Sequence, residues 1–529
     1  MPVLVLFGLA LTADAGIWGH LARTVLPGYA ANTAILLLTV GTGVAVIGTG
    51  TAWLTTMCRF PGRRLFEWAL LLPLACPAYV IGLVYIELLD YSGTLQHALR
   101  GLFGWQRPDD YWFPDIRTVG GAAAMLILVL YPYVYLLARA AFLDTSVSAL
   151  EAARTLGLTP GQAFRRISLP MARPAIAIGM ALALMEVLAD FGTVQIFAVD
   201  TFTTGIYDVW LGLHDVHAAS QLALLLLALV LLLVWLEWSS RRGRRFHNAG
   251  RHYRDLPRLH LSGWLGAAAC VACLLPLTLG FLVPSVVLVD WALWTLPRLR
   301  LEDYVSDLTN TLTVAASAAV LAVLVALFLC YAMRLSNRRL LVAAARLAGA
   351  GYALPGAVLA VGVLISLGAI DNTLDAWSKT WFGGGTGLLL SGTVVAVIFA
   401  YLVRFMALSL GSVESSLMRV TRNMDGAART LGHGPGSTLL RVHVPLIRTG
   451  LLTGLLIVFV DCMKELPATL MLRPFNFSTL ATRVYEYASN EAFQEAGLWA
   501  LSIVLAGLLP VILLSYSITH GRPSEQAGH

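Results

Sequence analysis

Long apolar segments dominate this chain of 529 residues and restrict the folds that it can adopt. Hydrophobic residues make up 58% of the sequence and charged residues only 12%, whereas soluble domains carry about 25% charged residues. About 20 consecutive apolar residues cross a bilayer as a helix, because every backbone polar group must be paired inside lipid. Such segments lie at residues 31–55, 66–89, 119–142, 175–199, 218–238, 263–288, 308–333, 343–369, 387–411, 449–472 and 496–518. The sequence therefore predicts an all-α polytopic membrane protein.

Arginines concentrate in alternate loops between these segments, and this asymmetry predicts the orientation of the chain. Short cytoplasmic loops are enriched in Lys and Arg. The arginine-rich loops lie at residues 59–64, 139–173, 241–245, 334–339 and 419–448. In contrast, residues 200–217 contain no Lys or Arg, and residues 370–386 contain only Lys379. The arginine-rich loops are therefore expected in the cytoplasm, and the formal net charge of +6 reflects membrane orientation rather than a nucleic-acid partner.

Two parts of the chain repeat one another. The sequence EAARTLG at Glu151–Gly157 returns as GAARTLG at Gly426–Gly432, and the offset of 275 residues holds without a gap as far as Arg173 and Arg448. A match of this length predicts two tandem copies of one membrane unit, each with about six helices. The predicted boundaries are 1–240 for the first repeat, 241–261 for a cytoplasmic linker and 262–520 for the second repeat.

The alignment of the two repeats also predicts a truncated first helix. Asn32-Thr33 corresponds to Asn310-Thr311 at an offset of 278 residues, so the segment at 263–288 has its counterpart largely upstream of the first residue. Only Met1–Leu11 remains of that counterpart, which is too short to span a bilayer. We expect either a short N-terminal stub or a start of the protein that lies further upstream.

The repeated segment is a polar loop rich in small residues, which suits a contact with a soluble protein. We call residues 144–174 the first coupling loop and residues 419–448 the second coupling loop. Small alanines permit the close approach of a partner, and a glycine permits a sharp turn. The candidate residues are Glu151, Ala152, Ala153 and Gly157 in the first loop, and Asp425, Ala427, Ala428 and Gly432 in the second.

The second coupling loop departs from the first at one position. Gly426 stands where the first loop has Glu151, and Asp425 lies one residue earlier. Whether Asp425 supplies the missing carboxylate stays open. The alternative interpretation of both loops is a plain basic surface at the membrane face, which two copies in register disfavour.

Acidic residues occur inside the apolar segment that follows each coupling loop. Glu186 and Asp190 align with Asp461 and Glu465 at an offset of 275 residues, and the spacing of four places each pair on one helix face. An acid at the bilayer centre costs about 2.5–3.5 kcal/mol on insertion scales. Lys464 can pair with Asp461. Two interpretations stay open: all five residues line a polar pathway for a cation, or they form an interhelical network of salt bridges and hydrogen bonds.

The chain lacks the motifs of an ATPase or of another enzyme. A P-loop requires the lysine of Gly-x4-Gly-Lys-Ser/Thr, and neither Lys379 nor Lys464 lies in such a motif. The sequence contains no nucleophile–base pair, and no membrane segment has His or thiolate residues at metal-ligand spacing. We therefore expect no catalytic residue, no resident metal and no cofactor bound to this chain.

The first coupling loop resembles the EAA signature of permease subunits of bacterial ABC importers. That signature has Glu-Ala-Ala, three residues, Gly, nine residues and then Ile-x-Leu-Pro, and Glu151–Ala153, Gly157 and Ile167–Pro170 match it in full. Two further stretches, Ala189–Val194 and Asp461–Thr469, are similar to those of ferric-iron permeases. The resemblance covers essentially the whole chain, including its fused two-repeat organisation.

The resemblance implies a type I ABC importer permease fold in the bacterial inner membrane. It also implies two partners: a separate ATPase subunit in two copies, which binds ATP and docks on the coupling loops, and a periplasmic binding protein that delivers Fe(III). Within the same class, a fused permease for thiamine or another small solute is the alternative. From another class, the alternative is a secondary transporter with the acids as proton carriers, which the duplicated loop disfavours.

Overall fold

The computed structural model describes residues 2–11, 15–143, 155, 157–241, 259–336 and 338–520. Nine helices in these ranges are long and apolar enough to cross a membrane, or ten if one bent pair, Arg63–Ala75 with Ala78–Phe103, counts as a span. The nine are Leu26–Met57, Val119–Leu143, Gly161–Ala189, Val216–Leu236, Trp264–Arg298, Leu301–Leu335, Gly356–Phe382, Val394–Leu417 and Pro435–Met463. The all-α polytopic fold expected from the sequence is therefore confirmed.

The helices fall into two similar series along the chain. The first series is α1 (Pro2–Leu11), α2 (Ala15–Thr24), α3 (Leu26–Met57), α4 (Arg63–Ala69), α5 (Ala78–Leu89), α6 (Thr94–Phe103), α7 (Val119–Leu143), α8 (Pro160–Ala163), α9 (Leu169–Ala189), α10 (Gly192–Ile196), α11 (Phe202–Tyr207) and α12 (Val216–Arg241). The second series is α13 (Trp264–Leu277), α14 (Val283–Thr295), α15 (Leu301–Leu335), α16 (Arg339–Gly349), α17 (Gly356–Phe382), α18 (Val394–Met418), α19 (Arg422–Thr430), α20 (Pro435–Thr438), α21 (Val444–Met463), α22 (Pro467–Leu472), α23 (Leu480–Ser489) and α24 (Gly497–His520).

One short pair of strands joins the end of the predicted linker to the first arginine-rich loop. Strand β1 (Cys58–Arg59) pairs in parallel with strand β2 (Leu259–His260). The backbone N–H of Leu261 continues the contact by donating to the carbonyl of Arg59 at 3.0 Å. The last residues of the linker are therefore held by backbone hydrogen bonds.

Pro77 and Pro355 each break one of the predicted apolar segments. The residue before a proline avoids the helical conformation, and both Cys76 and Leu354 are extended. Helices α5 and α17 begin directly after the two prolines. The apolar segments 66–89 and 343–369 are therefore each divided at a proline, and at Pro77 the two helical parts meet at 89°.

Two other predicted segments end early. Helix α9 ends at Ala189 rather than at residue 199, and α21 ends at Met463 rather than at residue 472. A short helix, α10 or α22, follows each break. The cause lies in the acidic residues at the breaks, which are described below.

The structure packs into two compact units, each of which contains parts of both repeats. The N unit is Ala15–Gly205, Ala228–Pro297 and Tyr487–His529, and the C unit is Met1–Asp14, Ile206–Leu227 and Arg298–Glu486. Within the N unit, α14 of the second repeat packs against α5 of the first. Within the C unit, α1 of the first repeat packs against α17 of the second. The packing units therefore do not coincide with the sequence repeats, and the boundaries of the repeats stay a prediction.

Each repeat ties its first long helix to the same later segment by matching hydrogen bonds. In the N unit, the side-chain amide of Asn32 donates to the carbonyl of Asp200 at 2.9 Å. In the C unit, the amide of Asn310 donates to the carbonyl of Ser478 at 3.0 Å. In both repeats a threonine close to that carbonyl, Thr204 or Thr482, accepts a backbone N–H at 2.8 Å. The internal repeat seen in the sequence is therefore also a repeat of structure.

Candidate functional site: the coupling loops and the intramembrane carboxylates

From the turn glycine onward, the two coupling loops have the same backbone path in the residues that the structure describes. Gly157 and Gly432 lie in the left-handed region, with φ of +74° and +78°, which glycine adopts without the clash that a Cβ atom causes. A four-residue helix follows each turn, α8 or α20, and a five-residue π-helical turn then leads into the long helix, α9 or α21. The role expected for these two glycines, a sharp turn, therefore fits the backbone.

The second coupling loop displays a small apolar face. In α19, Ala428 is buried, whereas Ala427 and Met424 are exposed. Leu431 follows on the same side of the helix and is 77% exposed, since residues three, four and seven apart share a face. Of the first loop, Glu151, Ala152 and Ala153 lie outside the described residues, whereas Gly157 is described.

Asp425 points away from that apolar face and into a cluster of charged side chains. Its carboxylate accepts a hydrogen bond from Arg334 Nε at 2.9 Å and one from His443 Nε2 at 2.6 Å. The side chain is 21% exposed. The structure thus places Asp425 beside residues that the sequence analysis did not select.

The intramembrane acids Asp190 and Glu465 lie at the two helix breaks and cap the short helices that follow. Asp190 accepts the hydroxyl of Thr193 at 2.8 Å and the N–H of Val194 at 3.1 Å, at the start of α10. Glu465 accepts the N–H groups of Ala468 and Thr469, both at 3.1 Å, at the start of α22. A side-chain oxygen that accepts the first free N–H groups stabilises a helix start, so these acids explain why the long helices end where they do.

Glu465 is also one half of a buried ion pair. Its side chain is 2% exposed, and its Oε1 lies 3.0 Å from Nη1 of Arg404 in α18. Thr469 Oγ1 donates to the same carboxylate at 2.9 Å and also bonds with the hydroxyl of Tyr401. With an arginine and three other donors around it, the carboxylate has its hydrogen-bonding capacity well filled.

A glycine makes room for this ion pair. A Cβ atom on Gly356, at the start of α17, would lie 2.7 Å from Glu465 Oε1 and would also collide with Arg404 Nη1. The equivalent residue of the first repeat, at an offset of 278, is Ala78. Only the repeat that has the ion pair has the glycine.

The two repeats differ in how their acids are balanced. Asp461 pairs with Lys464 at 2.7 Å, and Glu465 pairs with Arg404. The first repeat has Ala189 and Val129 at the positions that match Lys464 and Arg404, at an offset of 275. The second repeat therefore supplies two cations for its two acids at positions where the first repeat has apolar residues.

A second pairing follows the same pattern. In the C unit, Arg483 Nε lies 2.8 Å from Asp307 Oδ2, and the aspartate is almost fully buried. The counterparts in the first repeat, at an offset of 278, are Gly205 and Tyr29. The second repeat is thus the more ionic of the two at these matched positions.

Sequence reasoning missed four residues of these clusters: Arg404, Arg334, His443 and Gly356. Arg404 had a usable signal, since an arginine inside the apolar segment 387–411 is expensive and needs a partner. The other three had none, because each depends on contacts with residues distant in the chain. Among the described residues, no group of three His, Cys, Asp or Glu side chains is arranged to hold a metal ion.

The fold and the paired loops define a class, polytopic permeases built from two repeats, and comparison with known proteins agrees. Residues 44–244 match the family described as binding-protein-dependent transport system inner membrane components. An Fe(3+)-transport system permease protein from Haemophilus influenzae is 26% identical over 91% of this chain and 88% of the relative. A ferric transport system permease protein from Actinobacillus pleuropneumoniae is 25% identical over 94% of this chain and 70% of the relative.

A further relative matches a smaller share of the chain. A sulfate transport system permease protein from Salmonella typhimurium is 32% identical over 38% of this chain and 72% of the relative. The chain belongs to the family of binding-protein-dependent transport permeases. It is a multi-pass inner-membrane protein with a transport role rather than a catalytic one.

Proposed function

We propose that this chain is the permease subunit of an ATP-driven importer that moves Fe(III) across the inner membrane. The observation that carries the proposal is the extent of the similarity. The permeases named for ferric iron match more than nine-tenths of the chain, including both repeats, whereas the sulfate permease matches 38%. Carboxylates inside the membrane also suit a hard, oxygen-seeking cation better than an anion.

The proposed partners are a periplasmic binding protein, which delivers the cargo, and a separate ATPase subunit. Two coupling loops that repeat in sequence, and in backbone path from Gly157 and Gly432 onward, support two copies of that ATPase, one for each loop. The apolar face of Met424, Ala427 and Leu431 supplies the contact on the second loop. ATP binds to the ATPase, and this chain holds no cofactor of its own.

Within the membrane, we assign the cargo pathway chiefly to the acids of the first repeat, Glu186 and Asp190. The second repeat neutralises Asp461 with Lys464 and Glu465 with Arg404, whereas the first repeat has apolar residues where those two cations stand. The first repeat is therefore the more negative at these matched positions, and negative charge attracts a metal cation. Glu465 serves instead as a capping and pairing residue that holds the helix break in place.

Uptake by the assembled transporter tests the substrate. Proteoliposomes that contain the chain with its ATPase, with loaded binding protein outside, would be supplied with ⁵⁵Fe(III) and ATP, with thiamine or sulfate in excess as competitor. We expect uptake that requires both ATP and the binding protein and that neither competitor reduces. Uptake of thiamine or sulfate in place of iron would refute the iron assignment, and iron uptake driven by an ion gradient without ATP would refute the importer.

Sulfate is the second candidate, because the sulfate permease is the relative with the highest identity named above. The intramembrane acids argue against it, since a dianion would be repelled by Glu186 and Asp190. Radiolabelled sulfate in the same assay decides between the two cargos.

A further inference from the structure

The carboxylate of Asp425 is enclosed by donors that belong to other helices. Oδ2 accepts Nε of Arg334 and also lies 2.9 Å from its Nη2, and Oδ1 accepts Nε2 of His443. Burial by itself raises the pKa of this carboxyl, but the hydrogen bonds from Arg334 and His443 outweigh it and hold the pKa below its ordinary value. The group therefore stays ionised and bound at neutral pH.

Arg334 connects α19, the helix of the second coupling loop, to the ends of two membrane spans. It lies in the last turn of α15, and its Nη1 donates to the carbonyl of Leu417 at 2.8 Å. Nη2 donates to the carbonyl of Val420, also at 2.8 Å. These carbonyls lie at the end of α18, where a cation is favoured by the negative end of the helix dipole.

His443 connects Asp425 to a third span, α21. It lies in the π-helical turn that leads into α21, is 1% exposed, and has its ring centre 5.4 Å from that of Tyr331. Its Nδ1 has no hydrogen-bond partner among the residues that the structure describes, so the bond to Asp425 assigns the proton to Nε2. Tyr331 in turn donates to the carbonyl of Pro435 at 2.6 Å.

We propose that Arg334, Asp425 and His443 form a clamp that transmits movement of the second coupling loop to the spans α15, α18 and α21. The inference rests on the proposed function, in which an ATPase docks on this loop. In the clamp, Asp425 is a positioning residue and does not contact the ATPase in place of Glu151. The exposed apolar face on the other side of α19 remains available for that contact.

Two residues of the clamp have no ionisable counterpart in the sequence of the first repeat. At the positions that match Asp425 and His443, at an offset of 275, the first repeat has Leu150 and Ser168. Neither can form a salt bridge with an arginine. Loss of the clamp is therefore expected to affect only the docking site on the second coupling loop.

The test compares docking with coupling in the complete transporter. Asp425→Ala should leave the amount of ATPase that co-purifies unchanged, while the ATP hydrolysed per iron ion transported rises by about 5- to 150-fold, the usual range for coupling between sites. Met424→Ala, on the exposed apolar face of α19, should instead weaken co-purification of the ATPase. Loss of the ATPase from the Asp425→Ala complex, or an unchanged ATP-to-iron ratio, would overturn the clamp.

A covalent cross-link in place of the Arg334–Asp425 contact tests the clamp even if Asp425→Ala fails to fold. Arg334→Cys combined with Asp425→Cys, in a chain whose six native cysteines are replaced, should be uncoupled when reduced and recoupled by a short bifunctional thiol reagent. Failure of the cross-link to restore coupling would contradict the inference. If the unsubstituted complex moves no iron, the iron proposal fails separately. In that case, the effect of Asp425→Ala on the stimulation of ATP hydrolysis by the binding protein tests the clamp instead.

Discussion

Removing the arginine from the buried pair Arg404–Glu465 is expected to destabilise the second repeat strongly. Arg404→Val introduces the residue that the first repeat has at this position, Val129, and leaves the Glu465 carboxylate, 2% exposed, without its cation. Loss of one partner of a buried ion pair costs about 3–5 kcal/mol. Because the carboxylate keeps three donors from Ala468 and Thr469, we expect the lower end, about 3 kcal/mol in the free energy of unfolding.

A double-mutant cycle gives the measurement. Unfolding by denaturant would be followed through tryptophan fluorescence for Arg404→Val, Glu465→Gln and the combination. Because a glutamine side chain is neutral and needs no cation, the combination should cost about 2 kcal/mol less than the sum of the single changes. A cost below about 1 kcal/mol for Arg404→Val, or strict additivity, would refute the view that the pair depends on mutual neutralisation.

Three smaller predictions concern particular contacts. Gly356→Ala should cost about 1–3 kcal/mol of unfolding free energy by overpacking against the ion pair, measured as above, and no loss would contradict the close approach. Gly432→Ala should cost about 1–2 kcal/mol because the turn needs a left-handed residue; it should increase proteolysis of the second coupling loop, and unchanged cleavage would count against it. Asn32→Ala and Asn310→Ala each remove one equivalent hydrogen bond and should each cost about 1 kcal/mol; clearly unequal losses would argue that the repeats do not use these bonds alike.

The sequence could predict where apolar helices lie, because a membrane helix needs about 20 consecutive apolar residues, but it predicts eleven segments where the described residues contain nine or ten candidate spans. The breaks could not be located in the same way. Asp190 and Glu465 were recognised as expensive residues, but their capping role depends on backbone N–H groups that become free only once the helix has ended. Pro77 is a local signal for its own break, because the residue before a proline avoids the helical conformation.

The partners of the polar residues were the least predictable part. The sequence left open whether Asp425 replaces Glu151, and it did not identify the partner of Asp425, Arg334, which lies 91 residues away in the chain. Likewise, the cation that pairs with Glu465 could be identified only from the contact between Arg404 in α18 and Glu465 just after α21. In both cases the sequence identified the acid, whereas the tertiary structure identified the cation that pairs with it.

The central claim is that the acids of the first repeat attract the cargo, whereas those of the second are neutralised by Lys464 and Arg404. Initial rates of ATP-driven ⁵⁵Fe(III) uptake by Glu186→Gln and Asp190→Asn, beside Asp215→Asn as a control, test it most directly. Asp215 is a comparable aspartate that accepts the N–H groups of His217 and Ala218 outside the helix breaks. We predict a fall of at least about tenfold for each first-repeat variant, equivalent to about 1.4 kcal/mol, with no change for the control. Uptake that survives both neutralisations at the unsubstituted rate would contradict the account.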